Sequence, residues 1–181
     1  MTRLRESVLL RRPVQVECIP DGTPLDLEEG TWGQLTQALG SSFTLVVEGQ
    51  LVRLKGSDAD AIGREVPVAP EVPADVGIDD VRGLIWETLK TCYDPEIPVD
   101  IVELGLIYVC DVIPIDDEQV RVSIKMTLTA PGCGMGEILA AEVADKVMAL
   151  PRVAEVNVDF VFDPPWNRSR MSEAAQLTLG L

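Results

Sequence analysis

The chain has 181 residues, 46% of them apolar, enough for one domain of ordinary size or two small ones with packed cores. Thirty acidic residues against 15 basic ones leave a formal charge of −15, which works against binding nucleic-acid phosphates or an anionic membrane surface and otherwise favours solubility. There is no histidine, which excludes Ser-His-Asp and Cys-His catalysis, histidine-held zinc and histidine-held haem.

The apolar run Val8-Leu9-Leu10 is too short for a signal peptide, and no run spans a bilayer, so the expectation is a soluble cytoplasmic protein. The four cysteines, Cys18, Cys92, Cys110 and Cys133, are widely spaced without a Cys-x-x-Cys pair, and no disulfide framework is expected.

Residues 8–65 read as short strands and turns. Val14, Val16 and Cys18 alternate with Gln15 and Glu17, the pattern of a half-buried strand. Turns follow at residues 20–24, at Glu29-Gly30 and at Gly40-Ser41-Ser42. Residues 31–39 and 43–47 read as strands, and Glu48-Gly49-Gln50 as a hairpin into residues 51–54. Such closely spaced strands predict a small sandwich or barrel-like lobe over residues 1–66. Asp58 and Asp60 read as a solvated turn or helix start, since no further ligands follow at calcium-loop spacing. Pro67, Pro70 and Pro73 mark residues 67–77 as an extended linker.

A second domain over residues 78–181 opens with a helix, with Ile78, Val81, Ile85 and Leu89 on one face and Asp79 and Asp80 in its first turn. Pro95 and Pro98 keep residues 91–100 out of a helix. Residues 106–113 are apolar on both faces and predict a central strand. From Val120 to Leu128 apolar and polar residues alternate strictly, so one face is buried. A helix with Leu139, Val143, Val147 and Leu150 on one face runs to Pro151, and a strand carries Val156, Val158, Phe160 and Phe162. Ser172 caps a short last helix. The predicted fold is α/β (α+β), an α-β-β-α-β-α two-layer domain preceded by a β-rich lobe.

Cys133 stands between Gly132 and Gly134 where the best strand turns into a helix. Amide N–H groups of the first helical turn there would favour a thiolate, suited to reaction or to a metal. The plainer alternative is a small residue in a tight turn. Asp94 and Glu96, on a loop stiffened by Pro95 and Pro98, suit a cation, a partner or acid–base work, or else a cap and a solvated side chain. Cys92 reads either as a second ligand or as a small apolar residue at a helix end, and Cys110 and Cys18 as core. Trp166, Arg168 and Arg170 read as a packed tryptophan with exposed arginines, or as a segment that contacts a partner or closes over the cysteine.

Residues 94–108 (Asp-Pro-Glu-Ile-Pro-Val-Asp-Ile-Val-Glu-Leu-Gly-Leu-Ile-Tyr), residues 126–134 (Met-Thr-Leu-Thr-Ala-Pro-Gly-Cys-Gly) and Asp163-Pro164-Pro165-Trp166 together resemble the metal–sulfur cluster assembly domain family, which includes the PaaD-type proteins and the eukaryotic cytosolic iron–sulfur targeting factors. Residues 19–24 and 36–40 look like a bacterial branch of that family, the SufT type, with an added N-terminal region. The resemblance implies a non-catalytic cytosolic factor of iron–sulfur cluster maturation, working with assembly proteins and apo-protein targets. It places Cys133 as the family's cysteine, and Asp94, Pro95, Glu96, Thr127 and Thr129 around one pocket, with Gly132 and Gly134 beside the thiol. Other members often carry proline where this chain has Gly134.

A thiolate is the soft ligand that iron prefers, yet a stable cubane wants four, so a permanent cluster in a monomer is not expected. Three readings follow. A carrier holds iron or a cluster transiently through Cys133, with Cys92, a carboxylate or a small thiol completing it, in a homodimer if the cluster is shared. A metal-free adaptor docks assembly machinery and targets. A thiol enzyme would use Cys133 as nucleophile, against which the missing histidine weighs.

Overall fold

The computed structural model describes residues 6–67, 76–94, 97–130 and 134–181. The chain divides into two compact units, Met1–Ala69 and Pro70–Leu181, each with its own apolar core. Most of the expected linker, residues 68–75, lies outside the described residues. Among those described, no helix is long and apolar enough to cross a membrane.

The first unit is one six-stranded sheet made of β1 (Glu6–Leu9), β2 (Val14–Cys18), β3 (Pro24–Leu27), β4 (Trp32–Leu39), β5 (Ser42–Val47) and β6 (Gln50–Lys55). The spatial order is β1-β4-β5-β6-β2-β3, and neighbouring strands run antiparallel throughout. The alternation seen in the sequence decides which side is inward: Val14, Val16 and Cys18 are buried on β2, and Phe43, Leu45 and Val47 on β5. Val8 of edge strand β1 and Leu27 of edge strand β3 join the same core cluster. The lobe is one sheet, not the two stacked sheets of a sandwich. The β5–β6 hairpin turns on Glu48 and Gly49, both at positive φ, where glycine at the second position relieves the steric cost. Asp58 and Asp60 sit in a 3-10 helix, Gly56–Ile62, and both accept hydrogen bonds from the Arg12 guanidinium, at 2.9 and 2.6 Å. They anchor the β1–β2 connection, a role sequence spacing does not reveal.

The second unit runs α1 (Ile78–Leu89), β7 (Ile107–Pro114), β8 (Val120–Met126), α2 (Met135–Met148), β9 (Val153–Phe160) and α3 (Glu173–Leu179), the expected order. The helices bury their predicted faces: Val81, Ile85 and Leu89 from α1, and Leu139, Val143 and Val147 from α2. They pack with Val120, Val122, Ile124 and Met126, the inward face of β8. β8 pairs antiparallel with β7 and parallel with β9.

Two expectations change. The strand order β7-β8-β9 makes β8 central and puts β7 at an edge. The apolar residues on both faces of β7 do not mark double burial, for Val109 and Ile113 are exposed on the open side of the sheet. A hairpin partner can be added on one side only when the next strand arrives by a helical crossover on the other. The last strand ends at Phe160, so Phe162 lies beyond it, half-exposed and stacked on Phe160 with ring centroids 6.2 Å apart.

Candidate functional site

β8 and β9 run in parallel, so their C-terminal ends lie side by side, and α2 begins a few residues after β8. In open α/β sheets this end is where ligands are received, because strand ends and a helix N-terminus meet there. The chain between them contains Cys133. The bonding around this end is well defined. Thr127 N–H donates to the Leu106 carbonyl at 2.9 Å, and Val161 N–H donates to the Met126 carbonyl at 2.8 Å. The first turn of α2 presses onto the same strand end: a β-carbon at Gly136 would stand 2.5 Å from Leu128 Cδ1. Glycine here permits the close approach.

Thr127 is fully buried and its hydroxyl has no hydrogen-bond partner among the described residues. A buried hydroxyl left unpaired costs on the order of 1–3 kcal/mol, so it calls for a reason. Thr129, two residues on, is half-buried, and Gly134, immediately before α2, is exposed. Of the expected pocket, Pro95, Glu96, Gly132 and Cys133 lie outside the described residues.

The acidic loop is tied to the same end through its base. Ile101 N–H donates to the Cys92 carbonyl at 3.0 Å, and Tyr93 bridges Asp100. Leu106 N–H donates to the Ile101 carbonyl at 2.9 Å, and Leu106 in turn accepts from Thr127. Asp94 is half-buried just past the base of this loop, and its carbonyl accepts from Ile97 N–H at 3.3 Å. Asp100 accepts from the N–H groups of Val102 and Glu103, which starts the turn into Gly105. Burial raises its carboxyl above the ordinary range.

Cys92 is fully buried among the core residues of the second unit, and its thiol donates weakly to the Thr88 carbonyl at 3.8 Å. Burial pushes the thiol up to about 11, against the pull of nearby Lys146. Burial thus favours the neutral thiol, as for a small apolar residue at a helix end. Cys110 and Cys18 are buried, as expected for core residues. Among the described residues no group of three or more cysteine, aspartate, glutamate or histidine side chains is placed to hold a metal ion.

The C-terminal segment lies across residues 103–108. Trp166 Nε1–H donates to the Leu104 carbonyl and the Tyr108 hydroxyl to the Pro164 carbonyl, each at 2.9 Å. Ser172 N–H donates to the Glu103 carbonyl at 2.9 Å, and the Ser172 hydroxyl also meets the Glu103 carboxylate. The Arg170 guanidinium stacks over the Tyr108 ring, 4.1 Å from its centroid. Trp166 is thus packed, Arg170 is held by an aromatic ring, and Arg168 is exposed. Sequence reasoning passed over Tyr108 and Gly105 as parts of this arrangement. The nearest signal was the stiff Asp163-Pro164-Pro165-Trp166 segment, which had to pack against something.

The model of the iron–sulfur cluster assembly protein family matches residues 84–159, from within α1 into β9. An Fe-S protein maturation auxiliary factor of Porphyromonas gingivalis is 45% identical over 96 residues, 53% of this chain and 88% of the relative. YitW of Bacillus subtilis, with the same description, is 41% identical over 97 residues, 54% of this chain and 91% of the relative. SufT of Staphylococcus aureus, again so described, is 40% identical over 88 residues, 49% of this chain and 96% of the relative. The chain belongs to the iron–sulfur cluster assembly protein family, in its SufT type.

Proposed function

We propose that the protein is a maturation factor for iron–sulfur proteins that takes up iron or a cluster transiently through Cys133 and hands it to assembly proteins or apo-protein targets. The observation that carries this reading is Thr127, a wholly buried hydroxyl without a partner among the described residues, at the strand end that leads into the Cys133 loop. A hydroxyl buried there is suited to donate to a sulfur or oxygen of the cargo, or to a thiolate beside it. The start of α2, directly after Gly134, adds a positive helix end that favours negative charge. Membership of the family and the descriptions of the relatives support the same reading.

The described residues do not fit a permanently held cluster. Cys92 is protonated in the core, and the described side chains supply no metal-binding group. On this reading Cys133 is the thiolate offered to cargo, and the remaining ligands come from a small thiol, a carboxylate of the acidic loop, or a second copy. A donor with one firm ligand releases its cargo readily, which suits delivery better than storage. The buried Cys92 also favours a second reading, an adaptor that docks machinery and targets without metal. The relatives are described as maturation auxiliary factors, and the proposal is of a non-enzyme.

The test is anaerobic reconstitution with iron and sulfide, comparing the native chain with Cys133→Ser and Thr127→Val. Bound iron and visible absorption should vanish with Cys133→Ser. Thr127→Val should load less or release faster while its resistance to urea stays equal or rises by about 1 kcal/mol, since an unpaired hydroxyl is replaced by a methyl. Absence of loading in the native chain, under conditions that load a known scaffold, sinks the carrier and leaves the adaptor.

A further inference from the structure

The outer face of the first unit's sheet has an apolar diagonal at one end. Leu9 of β1 stands opposite Trp32 of β4. Two residues along β4, Gln34 stands opposite Val46 of β5, and Val46 opposite Leu51 of β6. Val46 is therefore diagonal to Trp32, within reach of a large indole, and Leu51 continues the line. Trp32 is 65% exposed, Leu9 43% and Leu51 39%. Their neighbours in sequence, Val8, Leu10, Gly33 and Val52, point inward and are buried, so the fold uses these strands for its core and still presents a second apolar set outward. Contiguous exposed apolar surface centred on a tryptophan is the composition of a docking site.

The charge around it is one-sided. Glu28 and Glu29 lie in the turn before β4, and Glu48 in the turn after β5; all three are exposed. The first turn is pinned against β1: Leu10 N–H donates to the Thr31 carbonyl at 3.0 Å, Gly30 N–H to the Leu10 carbonyl at 2.8 Å, and Thr31 N–H to the Glu28 carbonyl at 3.2 Å. The β4–β5 register, carried two residues past Val46, brings Glu48 level with Trp32. Among the described residues these three carboxylates have no ion-pair partner, whereas Glu6 and Glu17 are matched by Arg64 and Arg53. An acidic rim left uncompensated around an apolar centre specifies the sign of what covers it.

We propose that this end of the sheet docks a partner protein that presents an apolar side chain ringed by lysine and arginine. A second copy of this chain would set acidic rim against acidic rim at a net charge of −15 each, and an anionic lipid surface or nucleic acid would be repelled in the same way. The surface lies wholly within the first unit. Through it the first unit recruits the protein that delivers or receives cargo.

The test places a photo-crosslinking phenylalanine at position 32 of the full chain, in its host, and maps the residues it joins. One partner should be captured, at an apolar residue flanked by lysine or arginine. Capture should fall at least about five-fold when Glu29→Lys and Glu48→Lys are added, with the thermal unfolding curve unchanged. Glu29→Gln with Glu48→Gln serves as a milder second variant should the first perturb folding. Cys133→Ser should leave capture unchanged, which separates this proposal from the carrier reading. Cross-links to a second copy, to lipid or to an acidic surface, no cross-link at all, or capture indifferent to the charge changes in a folded variant would each overturn it.

Discussion

Cys92 illustrates how position overrides residue type. Its thiol sits at the end of α1 with no exposed surface, next to Lys146, whose ammonium donates to the Thr91 carbonyl at 2.8 Å and pairs with Glu142 at 2.9 Å. Burial dominates, and the thiol rises from 9.0 to about 11. The linkage has a definite sign. Unfolded chains lose this proton as pH passes 9.0 while the folded protein keeps it until about 11, so the stability it contributes is full below the first value and is lost as pH rises through the second. A separation of that size corresponds to roughly 2–3 kcal/mol. Urea unfolding of the native chain beside Cys92→Ala, at neutral pH and at successive values up to the folded pKa, should show the native chain losing more with pH, by up to that amount. Parallel pH profiles would mean that the thiol is not held neutral by the core. A thiol-alkylating reagent should likewise leave Cys92 unlabelled in the folded protein, while modifying it in urea.

At the scale of elements, the C-terminal segment across residues 103–108 holds together through several unlike contacts, and Gly105 sets how closely it lies. Gly105 has φ +69, and a β-carbon there would fall 2.3 Å from the Arg170 carbonyl oxygen and 2.8 Å from its carbon. Both objections are to backbone, which cannot swing aside as a side-chain tip does. Gly105→Ala should therefore cost at least about 3 kcal/mol, from the left-handed conformation and the displaced segment together. The urea midpoint measures the cost, and faster proteolysis at residues 163–172 should accompany it as the contacts of Trp166 and Tyr108 loosen. An unchanged midpoint would show that the segment adds nothing to the fold. β7 offers a contrast. Its Val109 and Ile113 stand exposed across from Lys125 and Arg121 of β8, so the open face of this sheet mixes apolar and charged columns, and Arg121 is also paired with Glu155 of β9 at 2.6 Å.

For the whole molecule, the fact that matters most is the division into two units with separate cores. The family match at residues 84–159 falls inside the second. Residues 76–181 expressed alone should unfold in one cooperative transition and keep the iron loading of Cys133, while losing capture through position 32. Gradual, non-cooperative unfolding of that piece, measured by circular dichroism against urea, would mean that the second unit depends on the first.

Local chemistry was enough to read most elements from the amino-acid order. The period of two in Val120 to Met126, the helical faces of Val81-Ile85-Leu89 and Leu139-Val143-Val147, the Glu48-Gly49 turn and the Ser172 cap are each decided by neighbours within a few residues, so they are written where they act. The motif around Cys133 and the acidic loop were legible in the same way, as residues, without their surroundings. What only the tertiary structure decided is where distant segments meet. It placed β7 at an edge, bound Arg12 to Asp58 and Asp60, laid Arg170 over Tyr108, withdrew Cys92 into the core and left the Thr127 hydroxyl without a partner among the described residues. Period and propensity say which way a side chain faces along its own element. They carry no record of which other element arrives opposite, and that meeting sets burial, charge state and the partners left wanting.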